Sequence, residues 1–287
     1  MLDRARGLSA QALEAIAELE RRTLQADGGR LKLEWGTLRG RAGEEVEDLL
    51  WWEGDRLAGF VGLYAFAGPP TVELAGMVDP EHRRRGIATA LLDAARPICS
   101  DRGFERALLV TPRGSEGGRA FALSRGAVVE HSEHVLVLDG TPRQEPEDPQ
   151  ISLRPAVSAD APVLATLLRA AFGPQPDTLE GHLASDPVGT LVIEHGDQPV
   201  GTVRLSREDG VGAVYGFAVD PTWQGRGIGR DVLGRVCRQL RHEGMERVQL
   251  EVAVNNDRAL GLYTSLGFTR AHTEDYYELA LGPGSTA

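Results

Sequence analysis

Cysteine is nearly absent from this chain of 287 residues: Cys99 and Cys237 are the only two. Both fall in segments with helical periodicity and at no metal-ligand spacing. That excludes a disulfide framework and a thiolate metal centre, and suits free thiols in a reducing cytoplasm. Lysine is scarcer still, since Lys32 stands alone among 31 basic residues; the bias toward arginine carries no mechanistic weight. No apolar run approaches the roughly eighteen residues of a membrane span. No signal peptide is expected, with charges at Asp3, Arg4 and Arg6 within the first six residues. The reading is a cytoplasmic protein with no membrane partner. Positive charge is also in deficit: the net charge of −11 argues against a nucleic-acid surface. Histidine is uninformative. His131 and His134 lie three apart in a segment that reads as a strand, so their rings point to opposite faces, and a solvated strand end is expected there rather than a metal site.

What the chain does have is an internal copy of itself. Val219-Asp-Pro-Thr-Trp-Gln-Gly-Arg-Gly-Ile-Gly-Arg-Asp-Val232 repeats Val78-Asp-Pro-Glu-His-Arg-Arg-Arg-Gly-Ile-Ala-Thr-Ala-Leu91 at an offset of 141 residues. The same offset pairs Gly103 with Gly244 and Gly126 with Gly267, so the chain is a duplication, and the repeat takes precedence over every local reading. Residues 139–150 hold three prolines and four acidic residues with no apolar period, which reads as an exposed linker. The expected organisation is a first domain over 1–140, a linker over 141–150 and a second domain over 151–287, each long enough to bury its own core. In the second, a strand starting at Ile151 leads to a helix with Val163, Leu164, Leu167, Leu168 and Phe172 in register. The first copy opens instead on a helical pattern over 1–25, with no obvious strand before it.

Around each twin the pattern changes from strand to helix. Val214 to Val219 read as a strand, Asp220-Pro221 ends it, and a Gly-rich turn enters a helix with Val232, Leu233 and Val236 on one face. Gly227 and Gly229 sit where that helix begins. Unpaired amides and the positive end of the helix dipole would meet an anion there, and a pyrophosphate fits such a turn. Glycines leave the amides unscreened, while Arg226 and Arg230 add positive charge.

The turn resembles the acetyl-CoA signature of the GNAT N-acetyltransferase superfamily: Gln or Arg, two residues, Gly, one residue, then Gly or Ala. It stands twice, as Gln224-Gly225-Arg226-Gly227-Ile228-Gly229 and as Arg83-Arg84-Arg85-Gly86-Ile87-Ala88. The resemblance implies an α/β (α+β) fold of two tandem GNAT domains, each a mixed, mostly antiparallel sheet flanked by helices. It implies acetyl-CoA as co-substrate and no metal. Phe217, Ala218 and Val219 on the strand before the turn would then hold pantetheine by their backbone, much as a sheet edge accepts a peptide. Val78 with the turn at 83–88 would form a possible second CoA site.

Proton-handling groups separate the copies. Arg247 to Val254 alternates, with Val248, Leu250, Val252 and Val254 on one face and Gln249, Glu251 and Ala253 on the other. Asn256 or Asp257 then caps a short helix, and Leu262-Tyr263-Thr-Ser-Leu266-Gly267-Phe268 matches a second GNAT motif. The resemblance makes Tyr263 the acid that protonates the departing thiolate and Asn256 a contact to pantetheine or substrate. Glu251 is the candidate base, directly or through a water, because an ammonium must lose a proton before it can attack a thioester. At the 141 offset these positions hold Val110, Ser115 and Ala122, so the first copy is expected to be a non-catalytic GNAT fold.

Within the superfamily the tandem plan resembles the mycothiol synthases, although Ala213 stands where their catalytic strand carries a Glu. The spacing of Glu251 and Tyr263 and the pair Tyr276-Tyr277 resemble the ribosomal-protein N-terminal acetyltransferases. The expected activity is acetyl transfer to a primary amine of a small molecule or a peptide N-terminus, by a monomer or homodimer. The alternative is an acyl-CoA-binding sensor or scaffold without turnover.

Overall fold

The computed structural model describes residues 1–66, 69–142, 147–173, 179–185 and 189–282, leaving aside the side chains at 182, 184 and 185. The chain divides into two compact units that do not follow the linker. Unit 1 comprises 1–132 with 272–287, and unit 2 comprises 133–271.

Unit 1 runs β1 (Leu2–Ala5), α1 (Ala10–Asp27), α2 (Trp35–Arg39), β2 (Asp48–Glu53), β3 (Arg56–Tyr64), β4 (Thr71–Val78), α3 (Ile87–Asp101), β5 (Arg106–Pro112) and α4 (Glu116–Ser124). A further strand, β6 (Val128–Leu138), passes from unit 1 into unit 2. Unit 2 continues with β7 (Ile151–Pro155), α5 (Ala161–Phe172), α6 (Leu179–Ser185), β8 (Thr190–His195), β9 (Gln198–Glu208), β10 (Val211–Val219), α7 (Ile228–His242), β11 (Arg247–Ala253) and α8 (Asp257–Ser265). The last strand, β12 (Thr269–Ala280), belongs from His272 onward to unit 1.

Both sheets have one plan. In unit 1 the strands β1 to β4 are antiparallel neighbours, β4 pairs with β5 in parallel, and β12 closes the order against β5 antiparallel. In unit 2 the strands β7 to β10 are antiparallel, β10 pairs with β11 in parallel, and β6 closes against β11 antiparallel. Each unit therefore has the mixed, mostly antiparallel sheet that the repeat implies, and each takes its closing strand from the other half of the chain.

Apolar residues cover both faces of each sheet. In unit 2, Val232, Leu233, Val236, Cys237 and Leu240 of α7 are all fully buried with Val248, Leu250 and Val252 of β11, which is the one-sided stripe that the helical period dictates. Leu164 and Leu167 of α5 cover the other face with Val192. The helical reading of α5 fails only at Phe172, which is 54% exposed at the helix end. In unit 1, α3 and α4 pack on one face and α1 on the other. Burial pushes the Cys99 thiol up to about 11 and Cys237 up to about 12, so both remain protonated and poorly nucleophilic.

Two expectations are corrected. The first copy does open with a strand, β1, and the helix begins only at Ala10, where Ser9 accepts from the Ala12 amide. Four residues with two charges at the centre carry no readable period. His134 is buried rather than solvated, and His131 stacks on Tyr276 with centroids 4.1 Å apart. At the linker end Glu147, Pro149 and Gln150 are exposed, with Glu147 accepting from Arg238 at 2.7 Å and the Asp148 amide donating to Asp231 at 2.7 Å; residues 143–146 lie outside the described residues. Among the described residues no helix is long and apolar enough to cross a membrane.

Candidate active site

The site in unit 2 begins where two parallel strands part. β10 and β11 pair only from Val211↔Arg247 to Val214↔Leu250, although β10 continues to Val219 and β11 to Ala253. The parallel ladder thus stops at Val214, and a slot opens between the two strands, with the backbone edge of Phe217, Ala218 and Val219 along one side. Glu251 is the first β11 residue past the separation.

A bulge accompanies the opening. Between Tyr215↔Arg204 and Ala218↔Thr202 the ladder on β9 carries one extra residue on β10, and Gly216 lies there at φ +52, a conformation that glycine adopts without steric cost. Bulges bend a strand and raise its twist, and they recur beside active sites. The matching segment of unit 1 has Ala75 in place of Gly216, and β3 and β4 pair without interruption from Gly59↔Val78 to Tyr64↔Glu73. A glycine inside the apolar strand Val214-Tyr-Gly-Phe-Ala-Val219 was the sequence signal for this bulge.

The turn follows. Gly227 precedes α7 with φ +86, as Gly86 precedes α3 with φ +83, so both copies enter the helix with the same left-handed step. The first-turn amides of α7 point out of its N-terminus and give an anion a dipole and donors together. The Gln224 side chain fastens the end of β10 to the start of α8, since its Nε2 donates to the Val219 carbonyl at 2.9 Å and its Oε1 accepts from Arg258 at 2.7 Å. Arg83 acts similarly in unit 1, donating to the Val78 carbonyl at 3.1 Å while its two terminal nitrogens hold Asp27 at 2.8 and 2.6 Å. A donor side chain is thus needed at the first signature position in either copy. Arg226 stacks over Trp223 at 4.5 Å and donates to the Thr222 carbonyl. Gly225 is exposed, Ile228 is buried, and Gly229 lies under Phe217 and Leu262, which a Cβ there would meet at 3.8 and 3.4 Å. Ala218 is buried and Val219 half-buried.

Asn256 caps α8, its Oδ1 accepting from the Ala259 amide at 3.1 Å. Tyr263 is 8% exposed, packed near Phe268, and its hydroxyl has no hydrogen-bond partner among the described residues. Burial alone pushes the phenol up to about 12, so it stays protonated at neutral pH. Glu251 is half-buried on the other face of β11, paired with Val135 of β6.

The larger cavity belongs to unit 1. About 830 Å³ is lined by Val78, Arg83, Arg84, Gly86, Ile87 and Ala88 of the turn and by Val110 and Ala122, among others; Arg85 is exposed and outside this lining. At the 141 offset Gly76 stands for Phe217 and Ala122 for Tyr263, and both small residues line this cavity. In unit 2 a cavity of about 370 Å³ beside Arg226, Gly227 and Arg230 is lined also by Glu147, Asp148 and Asp231. Those carboxylates make this recess a poor phosphate site. Asp79, Glu81 and His82 in unit 1 bring possible metal-ligand atoms within 4.8 Å of one another, yet the Asp79 carboxylate already serves Arg22, Arg56 and the Glu81 amide. Tyr276 and Tyr277, whose pairing resembled that of a catalytic domain, lie in unit 1 opposite Val110 and Leu109 of β5.

A strand separation below a glycine-rich helix start, present twice, defines an acyl-CoA type of fold. Residues 10–126 and 162–268 each match the acetyltransferase (GNAT) family, and the chain belongs to that family. It is similar over most of its length to mycothiol acetyltransferases. The Kineococcus radiotolerans protein is 32% identical, covering 94% of this chain and 93% of that one, and the Thermobispora bispora protein is 32% identical, covering 90% and 92%. Among solved structures, a GCN5-related N-acetyltransferase from Sphaerobacter thermophilus superimposes with a TM-score of 0.81 at 22% identity, covering 99% of this chain and 96% of that one. A tandem GNAT protein from the clavulanic acid biosynthesis pathway superimposes with a TM-score of 0.71 at 19% identity, covering 99% and 100%. The chain is an N-acetyltransferase of the tandem GNAT type, and GNAT enzymes use acetyl-CoA as co-substrate.

Proposed function

We propose that unit 2 carries the acetyl transfer and that unit 1 binds acyl-CoA, if at all, without turnover. The observation that carries this reading is the bulged, parted pair β10 and β11 with Glu251 at the vertex and Tyr263 on α8. Unit 1 has the parting but neither the bulge nor an ionisable group at the matching positions. In unit 2 the amides at the start of α7 would take the pyrophosphate, and the edge at Phe217, Ala218 and Val219 would hold the pantetheine amides. A backbone N–H near Ala218 or Val219 would receive the negative charge that develops on the carbonyl oxygen. Glu251 takes a proton from the acceptor ammonium and passes it to solvent, Tyr263 donates to the departing sulfur, and the second nitrogen proton, lost as the amide forms, restores the phenol. The phenol is too weak an acid to ionise beforehand, so it meets the departing sulfur as a proton donor.

The acceptor is a small-molecule primary amine. Full-length similarity to mycothiol acetyltransferases makes the unacetylated form of mycothiol the first acceptor to test, with peptide N-termini as the competing class. Thiol release from acetyl-CoA, followed across that compound, simple amines and peptide N-termini, is expected to show turnover with the small molecules and at most a trace with peptides. A preference for peptide N-termini would move the acceptor to the second class, and no amine-dependent thiol release would favour the sensor or scaffold.

A further inference from the structure

We propose that the cavity of unit 1 takes a CoA thioester whose acyl group is longer than acetyl, the apolar chain lying where an acceptor amine would lie in a catalytic copy. The inference rests on the reading of unit 1 as a CoA-binding copy without turnover. β4 and β5 pair only from Thr71↔Arg106 to Leu74↔Leu109, although β4 runs on to Val78 and β5 to Pro112. Leu74 and Leu109 pack on the α3 side of the sheet, Met77 and Val110 on the α1 side, and all four line the same cavity of about 830 Å³. The cavity therefore passes through the parted strands, from the helix start at Gly86 to the α1 side. A ligand anchored by its pyrophosphate at that helix start and threaded along the slot puts its thioester end on the α1 side.

What meets the thioester there is apolar. Phe60, Met77 and Val110 wall this end at 1, 6 and 9% exposure, and Leu31 lines it with them. Its polar side chains are already served: the Thr23 hydroxyl donates to the Leu19 carbonyl at 2.9 Å, and Arg83 holds the Asp27 carboxylate at 2.8 and 2.6 Å. The matching residues of unit 2 differ in kind. Phe60 pairs with Met77 as Thr202 pairs with Ala218, and Val110 holds the place of Glu251. Where unit 2 has a hydroxyl, a methyl and a carboxylate, unit 1 has a ring, a thioether and an isopropyl group. Such a wall gives an ammonium no proton acceptor and no return for its lost hydration. An alkyl chain gains instead, by about fourfold in affinity for each methylene taken out of water. The volume lies within the roughly 300–1,000 Å³ of pockets that bury most of a small ligand.

Calorimetric titration of the full chain carrying Gly227→Val tests this, because that substitution is expected to remove the site of unit 2 and a Cβ there meets nothing within 4 Å. The ligands are acetyl-CoA, butanoyl-CoA and hexanoyl-CoA. Butanoyl-CoA is expected to bind about tenfold tighter than acetyl-CoA, and hexanoyl-CoA at least as tightly as butanoyl-CoA. Gly86→Val in the same background should abolish binding of all three. Val110→Phe, which fills the α1 end, should erase the advantage of the longer chains and leave acetyl-CoA within a few-fold; the chain-length series decides the question even where that variant does not fold. Equal affinity across the series, or weaker binding of butanoyl-CoA than of acetyl-CoA, would overturn the selection of a longer chain while leaving CoA in unit 1. Binding that survives Gly86→Val would place the ligand outside unit 1 and overturn the proposal. No binding of any thioester to a Gly227→Val protein that melts like the parent would overturn the reading of unit 1 as a CoA site, and this proposal with it.

Discussion

Tyr263→Phe is expected to lower kcat by about 10²-fold or more and to leave KM for acetyl-CoA nearly unchanged, because general acid help of this kind contributes about 10²–10⁴-fold. The side chain is 8% exposed and its hydroxyl has no hydrogen-bond partner among the described residues, so its removal leaves no protein donor or acceptor unsatisfied, and the ring still packs by Phe268. Stability should therefore hold, and the loss should appear in the step where the C–S bond breaks. Since burial holds this phenol at about 12, the alkaline limb of the rate profile should not follow its ionisation: above its ordinary pKa near 10 the hydroxyl is still protonated. A parallel fall of affinity and rate in the variant would assign Tyr263 to packing or binding instead.

Cutting the chain at the linker is expected to ruin both halves. Residues 1–140 lack β12, which covers β5 with Tyr276, Tyr277 and Leu279 at 1, 2 and 5% exposure. Uncovering three such side chains costs roughly 1.5–3 kcal/mol each, which is comparable with the entire stability of a domain, about 5–15 kcal/mol. Residues 151–287 lack β6, whose Leu136 and Leu138 close the core beneath α7. Circular dichroism melts should show neither fragment folding cooperatively, whereas residues 1–132 joined by a short linker to 269–282 should melt as a unit. Cooperative folding of 1–140 alone would mean that the closing strand is dispensable.

The exchange of strands was the largest feature hidden from the sequence. The repeat aligns residues that are alike, and a closing strand traded for its twin leaves the alignment untouched. Pairing partners are set by which edge is open in three dimensions, and His131 and Tyr276 come together only there. By contrast, the turn was legible because its requirements are local: a left-handed step at Gly227, small residues for an anion, and a donor at Gln224 or Arg83. The stripe of α7 and the alternation of β11 were legible for the same reason, each being a period within one element. The slot volume was half legible. The replacement of Phe217 by Gly76 and of Tyr263 by Ala122 could be aligned, but the cavity of about 830 Å³ that both line in unit 1 depended on how the core closed.

The central claim is that unit 2 is the catalytic copy, and one pair of variants tests it most directly. Gly227→Val and Gly86→Val each place a branched side chain at a left-handed helix start, φ +86 and φ +83, and in the space an anion would take. Amine-dependent thiol release measured on both is predicted to vanish with Gly227→Val and to remain within a few-fold of the parent with Gly86→Val. Loss of activity with Gly86→Val, together with its survival in Gly227→Val, would place the chemistry in unit 1 and contradict the account.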